Sequence, residues 1–194
     1  MLVGRLLGKN ALFRKLAGLF CRYRAKTTVK KIMPFLKKGA QILDVGSGTC
    51  EICNELRKKG FSITPIDIGN FSIVDGISPK IYGGKRMPFR ESEYNTALVL
   101  TVLHHVTEPE KLLRETKRVS KRIIITEDIF EGKLQKYLTH IMDCITNAEA
   151  SLPHMNKTDK EWRKTFKKLG IRLVNVSYER FFLIFSQAVY CLEK

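Results

Sequence analysis

The chain has 194 residues, 44% of them hydrophobic, which is enough for one domain with a full core and too few for two. Its formal charge is +16, yet residues 1–40 hold eleven Lys or Arg and no acid; that stretch supplies +11, and the body beyond it is only mildly basic at +5. No apolar run approaches the roughly eighteen residues of a membrane-spanning helix, and five cysteines at irregular spacing argue against a disulfide framework, so a soluble protein of a reducing compartment, the cytoplasm, is expected.

At the N-terminus, Leu2, Leu6, Phe13, Leu16, Ala17 and Phe20 share a helical face of about 100°, with Arg14, Lys15, Arg22 and Lys26 off it. Residues 1–26 therefore read as a basic amphipathic helix. Gly4, Gly8 and Gly18 each cost about 1 kcal/mol relative to Ala, so the helix needs a partner surface to form fully. Three surfaces fit: the protein itself, an anionic membrane surface, or RNA. The absence of acid also suits a mitochondrial presequence, but residues 1–40 have no Ser and hold seven Lys against four Arg.

The remainder, 27–194, reads as one domain. A helix from Thr27 to Leu36 ends at Lys37-Lys38-Gly39. Strand 41–45 leads to a helix at 50–59, strand 62–67 follows, and a short strand lies near 79–82. Strand 95–101 precedes a helix at 108–119, with Thr107 as its expected cap and Glu110 as capping-box partner. Strand 122–126 comes next. Alternation of this kind, with Ala97-Leu98-Val99-Leu100 and Ile123-Ile124-Ile125 apolar on both faces, predicts an α/β fold with a parallel sheet covered by helices on both sides. After a helix at 158–168, strands near 171–179 and 182–192 are separated by little more than a turn at Arg180, which requires an antiparallel pair.

The first strand runs into the glycine-bearing turn Asp44-Val45-Gly46-Ser47-Gly48-Thr49-Cys50. In an open parallel sheet, ligands bind at the carboxyl ends of the strands, and the turn after the first strand forms the floor. Gly46 and Gly48 let backbone approach a ligand closely. The dinucleotide fingerprint fails at its third position, Glu51, where a carboxylate would repel a pyrophosphate, and no Gly-Lys-Ser/Thr ending marks a phosphate-binding loop. Asp44 suits a cationic amino-acid end, and Asp67, closing the second strand, suits a ribose diol. Ribose, positive charge and no phosphate together indicate S-adenosylmethionine. Cys50-x-x-Cys53 has no second pair beside it, so no metal is expected.

Ile42-Leu43-Asp44-Val45-Gly46-Ser47-Gly48-Thr49, Asp67, Met87-Pro88-Phe89, Leu103-His104-His105-Val106 and Leu112-Leu113-Arg114-Glu115-Thr116-Lys117-Arg118-Val119 carry a wider likeness. In these blocks the chain resembles the class I S-adenosylmethionine-dependent methyltransferases, within them the broad group resembling the ubiquinone/menaquinone C-methyltransferases. The resemblance implies a single Rossmann-like three-layer domain, its seven-stranded sheet mostly parallel with the last strand antiparallel. It also implies cofactor contacts at Asp44, Gly46, Ser47, Gly48, Asp67, Ile68, Met87 and Leu100. Three positions depart from the pattern: Cys50 replaces a loop glycine, Gly84 stands where relatives place an adenine-binding Asp, and Tyr94-Asn95 replaces an aromatic-Asp pair.

Methyl transfer needs chiefly alignment of the acceptor, and some acceptors need a base as well. His104 and His105, after the fourth strand, read either as pocket-lining residues or as proton acceptors; Glu127 and Asp128, after the fifth, are the next candidates, with turn or capping roles as the alternative. Residues 129–158 are expected to cover the acceptor site. Leu134, Tyr137, Leu138, Ile141, Met142 and Ile145 share one helical face there, suited to core packing or to an apolar acceptor. The expected activity is methyl transfer to a small-molecule or lipid-like acceptor, met in the cytoplasm or at a membrane surface. The alternatives are an RNA methyltransferase and a non-catalytic partner protein of the same fold.

Overall fold

The computed structural model describes residues 11–132, 135, 156–181 and 185–194. The elements in chain order are α1 (Ala11–Ile32), β1 (Gln41–Val45), α2 (Glu51–Lys58), β2 (Ser62–Asp67), β3 (Lys80–Ile81), β4 (Tyr94–Leu100), α3 (Pro109–Val119), β5 (Ser120–Ile129), α4 (Asp159–Lys168), β6 (Arg172–Phe181) and β7 (Phe185–Glu193).

The strands form one seven-stranded sheet in the order β3-β2-β1-β4-β5-β7-β6. β1 pairs in parallel with β2 and β4, and β4 with β5. β7 is antiparallel to both its neighbours and slots between β5 and β6, pairing Ile125 with Tyr190 on one side and Tyr190 with Val176 on the other. The hairpin expected at the chain end is present, but its second strand, not its first, meets the parallel sheet.

Strand alternation builds two cores. Leu43, Val45, Ala97, Val99, Ile123 and Ile125 face α3 and α4, where Leu113, Trp162 and Phe166 cover them. Their neighbours Ile42, Leu98 and Ile124 face α1 and α2, where Val29, Ile32, Cys53 and Leu56 cover them. The result is the expected three-layer, Rossmann-like arrangement.

Two local expectations are corrected. The N-terminal helix does not stop at 26: α1 runs unbroken to Ile32, because no Gly or Pro interrupts 19–33 and the Thr27 hydroxyl bonds back to the Tyr23 carbonyl at 3.1 Å. Nor does Thr107 cap α3. The helix starts at Pro109, whose fixed φ suits the first helical position, and Glu108 occupies the cap without a side-chain bond. A full capping box stands instead on α4, where the Thr158 hydroxyl accepts from Glu161 N–H and the Glu161 carboxylate accepts from Thr158 N–H.

The direction of α1 matters for the site. Near its foot the Phe35 carbonyl accepts from Arg122 at the amino end of β5, whereas Arg22 lies 3.7 Å from Glu51 at the carboxyl edge. The chain thus leaves the carboxyl edge near Arg22 and reaches the amino edge only past the helix, at Phe35, while Lys31 of its last turn still bonds Gln187 beside Asp128.

Candidate active site

At the carboxyl edge the chain leaves β1 and turns through Gly46, φ 72°, and Gly48, φ 50°, both in the left-handed region that favours glycine. Gly46 is also constrained by space: a Cβ there would stand 2.7 Å from Val102 Cγ2, so the turn packs directly on the loop after β4. Its N–H donates to the Ile66 carbonyl at 2.9 Å, which ties the turn to β2. Cys50, which the sequence resemblance sets against a loop glycine, holds φ 60° as the cap of α2. The substitution therefore keeps the glycine-like conformation, at a steric cost of about 1–2 kcal/mol.

Two carboxylates meet this turn. Asp67, at the end of β2, accepts from Gly48 N–H through Oδ2 at 2.8 Å and from Ile68 N–H through Oδ1 at 2.7 Å. Each oxygen keeps a lone pair for a further donor. Asp44 is buried on the α2 side of β1, where the Cys53 thiol donates to its Oδ2 at 3.1 Å. Burial pushes its carboxyl up to about 6, the Cys53 bond opposes that rise, and the neighbouring Asp67 charge adds to it. Burial and Asp44 likewise push the Cys53 thiol up, so it stays protonated and keeps donating. An anion at Asp44 is costly here, and an approaching cation would relieve that cost.

The loop after β4 supplies the other side. Thr101 sits at φ 55°, a strained value for a β-branched residue, and its N–H donates to the Thr126 carbonyl at 2.7 Å. The chain then enters a short 3-10 turn, Leu103–His105. Below it Glu127 is fully buried; one oxygen accepts from Val102 N–H at 3.0 Å and Leu103 N–H at 2.8 Å, and the other lies 2.6 Å from His104 Nδ1. A carboxylate already serving two backbone donors acts as acceptor, so Nδ1 carries a proton and donates it to Glu127. His105 packs on His104 with ring centroids 3.9 Å apart and is less buried.

The structure gathers Asp44, Gly46, Ser47, Gly48 and Asp67 around one turn, with Leu100 and the two histidines at the next strand end. Ile68 follows Asp67 with 66% of its surface exposed, 3.6 Å from the position of a Cβ on Gly84, whose φ is 71°. That pair offers an apolar surface with open backbone beside it. Met87 instead lies in the core, its N–H donating to Glu115 and its carbonyl accepting from Arg118. Asp128 is one residue past Glu127, so alternation places it on the opposite face of β5, where it accepts from Gln187, which in turn accepts from Lys31 of α1. Asn95 has a structural role, accepting from Gln41 N–H at the start of β1. A cavity of about 170 Å³ lined by Gln41, Ser62, Thr64 and Tyr94 opens at the amino edge, remote from this chemistry.

Glu127 is the residue that linear reading undervalued. Its signal was the alternation Ile123, Ile125, Glu127, which puts an acid on the face of two core isoleucines. The apolar face at Leu134 to Ile145 lies outside the described residues.

A family model described as a methyltransferase domain matches residues 17–176. An uncharacterized protein of Methanocaldococcus jannaschii is 30% identical over 116 residues; the aligned part is 56% of this chain and 56% of that relative. The chain thus matches little over half the length of its curated relative. Among solved structures, an S-adenosylmethionine-dependent methyltransferase of Methanosarcina mazei superposes with a TM-score of 0.66 at 20% identity, covering 84% of this chain and 96% of that one. The magnesium protoporphyrin IX methyltransferase of Synechocystis, solved with bound S-adenosylhomocysteine, superposes with a TM-score of 0.65 at 15% identity, covering 99% and 93%.

Proposed function

We propose, from the premise that this chain belongs to the methyltransferase-domain family, that it transfers a methyl group from S-adenosylmethionine to a small-molecule or lipid-like acceptor. The observation that carries the reading is the bond from Gly48 N–H to Asp67 at the carboxyl edge, which joins a glycine turn to a strand-end carboxylate beside a second, buried acid. The residues fit the cofactor. Asp67 has lone pairs for a ribose diol, Ile68 and Gly84 leave an apolar, unobstructed surface for a base, and Gly46, Ser47 and Gly48 bring backbone close without side-chain bulk. Asp44 favours a nearby cation because its own charge is poorly solvated.

When bound, the cofactor supplies an activated methyl group on a sulfonium, so the protein's part is alignment and exclusion of water. Leu100 and the His104–His105 turn lie at the strand end beside the glycine turn, and Glu127 holds the His104 ring in one orientation. His105, the less buried of the two, is our choice for contact with the acceptor, with His104 behind it; Asp128 is assigned to the α1 contact. The helical spacing of Leu134, Tyr137, Leu138, Ile141, Met142 and Ile145 in the sequence, together with the basic N-terminal helix, supports a lipid-like or aromatic acceptor. The 129–158 segment is assigned to cover it.

Calorimetry with S-adenosylmethionine and S-adenosylhomocysteine tests the cofactor reading. Wild type should bind both, and Asp67→Ala should weaken each by about 10- to 100-fold, the worth of hydrogen bonds to a charged group. Absence of heat from either ligand with folded wild type would remove the assignment and favour a non-catalytic partner protein. If binding is seen, incubation with lipid extracts and labelled methyl donor identifies the acceptor class.

A further inference from the structure

α1 has two apolar faces, and the core uses one. Ala25, Val29 and Ile32 are buried against the sheet and α2. At 100° per residue, Leu16, Leu19, Phe20 and Tyr23 fall on roughly the opposite side of the helix, with i, i+3, i+4, i+7 spacing. These four are 56%, 53%, 51% and 69% exposed. Large side chains exposed together on one ridge mark an interaction surface rather than scattered surface apolarity.

The surroundings of the ridge select its occupant. Exposed Lys15, Arg22 and Lys26 flank one side and Arg24 the other, with the Arg24 guanidinium 5.9 Å from the Phe20 ring, and exposed Lys30 continues the line toward the helix foot. α1 contains no Asp or Glu, and none occurs anywhere in residues 1–40. An apolar centre rimmed by cations alone is complementary to an interface that is apolar inside and anionic at its surface. RNA would call for cations along the centre of the contact and aromatic stacking interleaved with them, and here the centre is aliphatic and aromatic carbon. The helix is not a membrane span: no described helix is long and apolar enough to cross a bilayer.

We infer that the Leu16–Leu19–Phe20–Tyr23 ridge of α1 is a docking surface for an anionic lipid membrane. Because Arg22 meets Glu51 at the carboxyl edge and the chain reaches the amino edge by Phe35, residues N-terminal to Arg22 lie toward the side where the glycine turn and the histidines open. Docking there brings the candidate acceptor site to the lipid surface. The surface stands apart from the methyl-transfer reading, because lipid binding is measured without cofactor or acceptor.

The full chain is floated with phosphatidylcholine vesicles and with vesicles containing roughly one-third phosphatidylserine. Wild type should float with the anionic vesicles and not with the neutral ones, and added salt should release it. The double variant Leu19→Ser/Phe20→Ser should lose about tenfold in bound fraction while keeping the wild-type heat of S-adenosylhomocysteine binding and the wild-type melting temperature. In a second variant, Phe20→Trp, fluorescence should shift to the blue on adding anionic vesicles, since native Trp162 is fully buried and insensitive. Failure of wild type to float with anionic vesicles, or equal flotation of the double variant, overturns the proposal. So does a shift of wild type from dimer to monomer on replacing Leu19 and Phe20, or a loss of single-stranded RNA binding on that replacement without loss of flotation.

Discussion

The His104 ring is held through Nδ1, 2.6 Å from a Glu127 carboxylate whose other oxygen anchors the Val102 and Leu103 amides. One buried acid thus organises both the turn after β4 and the orientation of its first histidine. Glu127→Gln replaces an acceptor oxygen by an N–H₂ that must face either the amides or the ring. The expected cost is about 2–4 kcal/mol in urea unfolding, together with a clear loss of transferase rate. A cost below about 1 kcal/mol would show that the turn does not depend on the carboxylate.

Asp44 makes stability and cofactor binding oppose each other. Its folded carboxyl lies near 6 against an ordinary 3.8, so the native state favours the protonated form, and the stability this group contributes is full below about 3.8 and lost as pH rises through 6. Asp44→Asn should therefore be more stable than wild type at pH 7.5, by about 1–3 kcal/mol, and the gap should close as pH falls from 6 to 4. The same variant should bind S-adenosylmethionine more weakly at pH 7.5. Wild-type affinity should itself fall below pH 6, with proton release on binding there, read from the dependence of calorimetric heat on buffer.

Gly46 is both conformationally and sterically constrained, and the two effects are separable. Gly46→Ala adds a Cβ at 2.7 Å from Val102 Cγ2 in a left-handed conformation, which should cost about 2–4 kcal/mol. Val102→Ala on the Gly46→Ala background should recover part of that loss by making room, leaving about 1 kcal/mol of backbone strain. Additive effects of the two substitutions in denaturant melts would show that the contact with the β4 loop is not what limits the turn.

The two threonines with capping sequence signals should behave differently. Thr158→Ala removes a real cap on α4 and should cost about 1 kcal/mol, whereas Thr107→Ala, exposed and outside α3, should stay within about 0.5 kcal/mol of wild type. Equal losses in thermal melts of the two variants would contradict the helix starts described here.

Much of the fold was legible because its signals are local. Runs such as Ile123-Ile124-Ile125, too short for helices and apolar on both faces, announce buried parallel strands, and the tight link near Arg180 demands an antiparallel pair. What could not be read was where that pair docks: β7 enters beside β5 because its apolar residues Ala188, Tyr190 and Leu192 face the α3–α4 core and Val189 the other, a matter of three-dimensional packing. The helix starts at Thr107 and Thr158 are alike in sequence, and proline geometry at 109 decided between them.

The candidate site divides in the same way. The residues of the glycine turn and Asp67 follow from sequence, since backbone conformation near glycine and the end of an apolar strand are short-range properties. The pairing of Glu127 with His104, the Cys53 thiol under Asp44, the removal of Asp128 to the α1 side and the second, exposed face of α1 exist only once separate strands and helices are packed together. They depend on which face of an element meets a neighbour and how much water is left there. Sequence sets the period of each element, whereas burial and partner distances, which set charge state and exposed surface, belong to the tertiary structure.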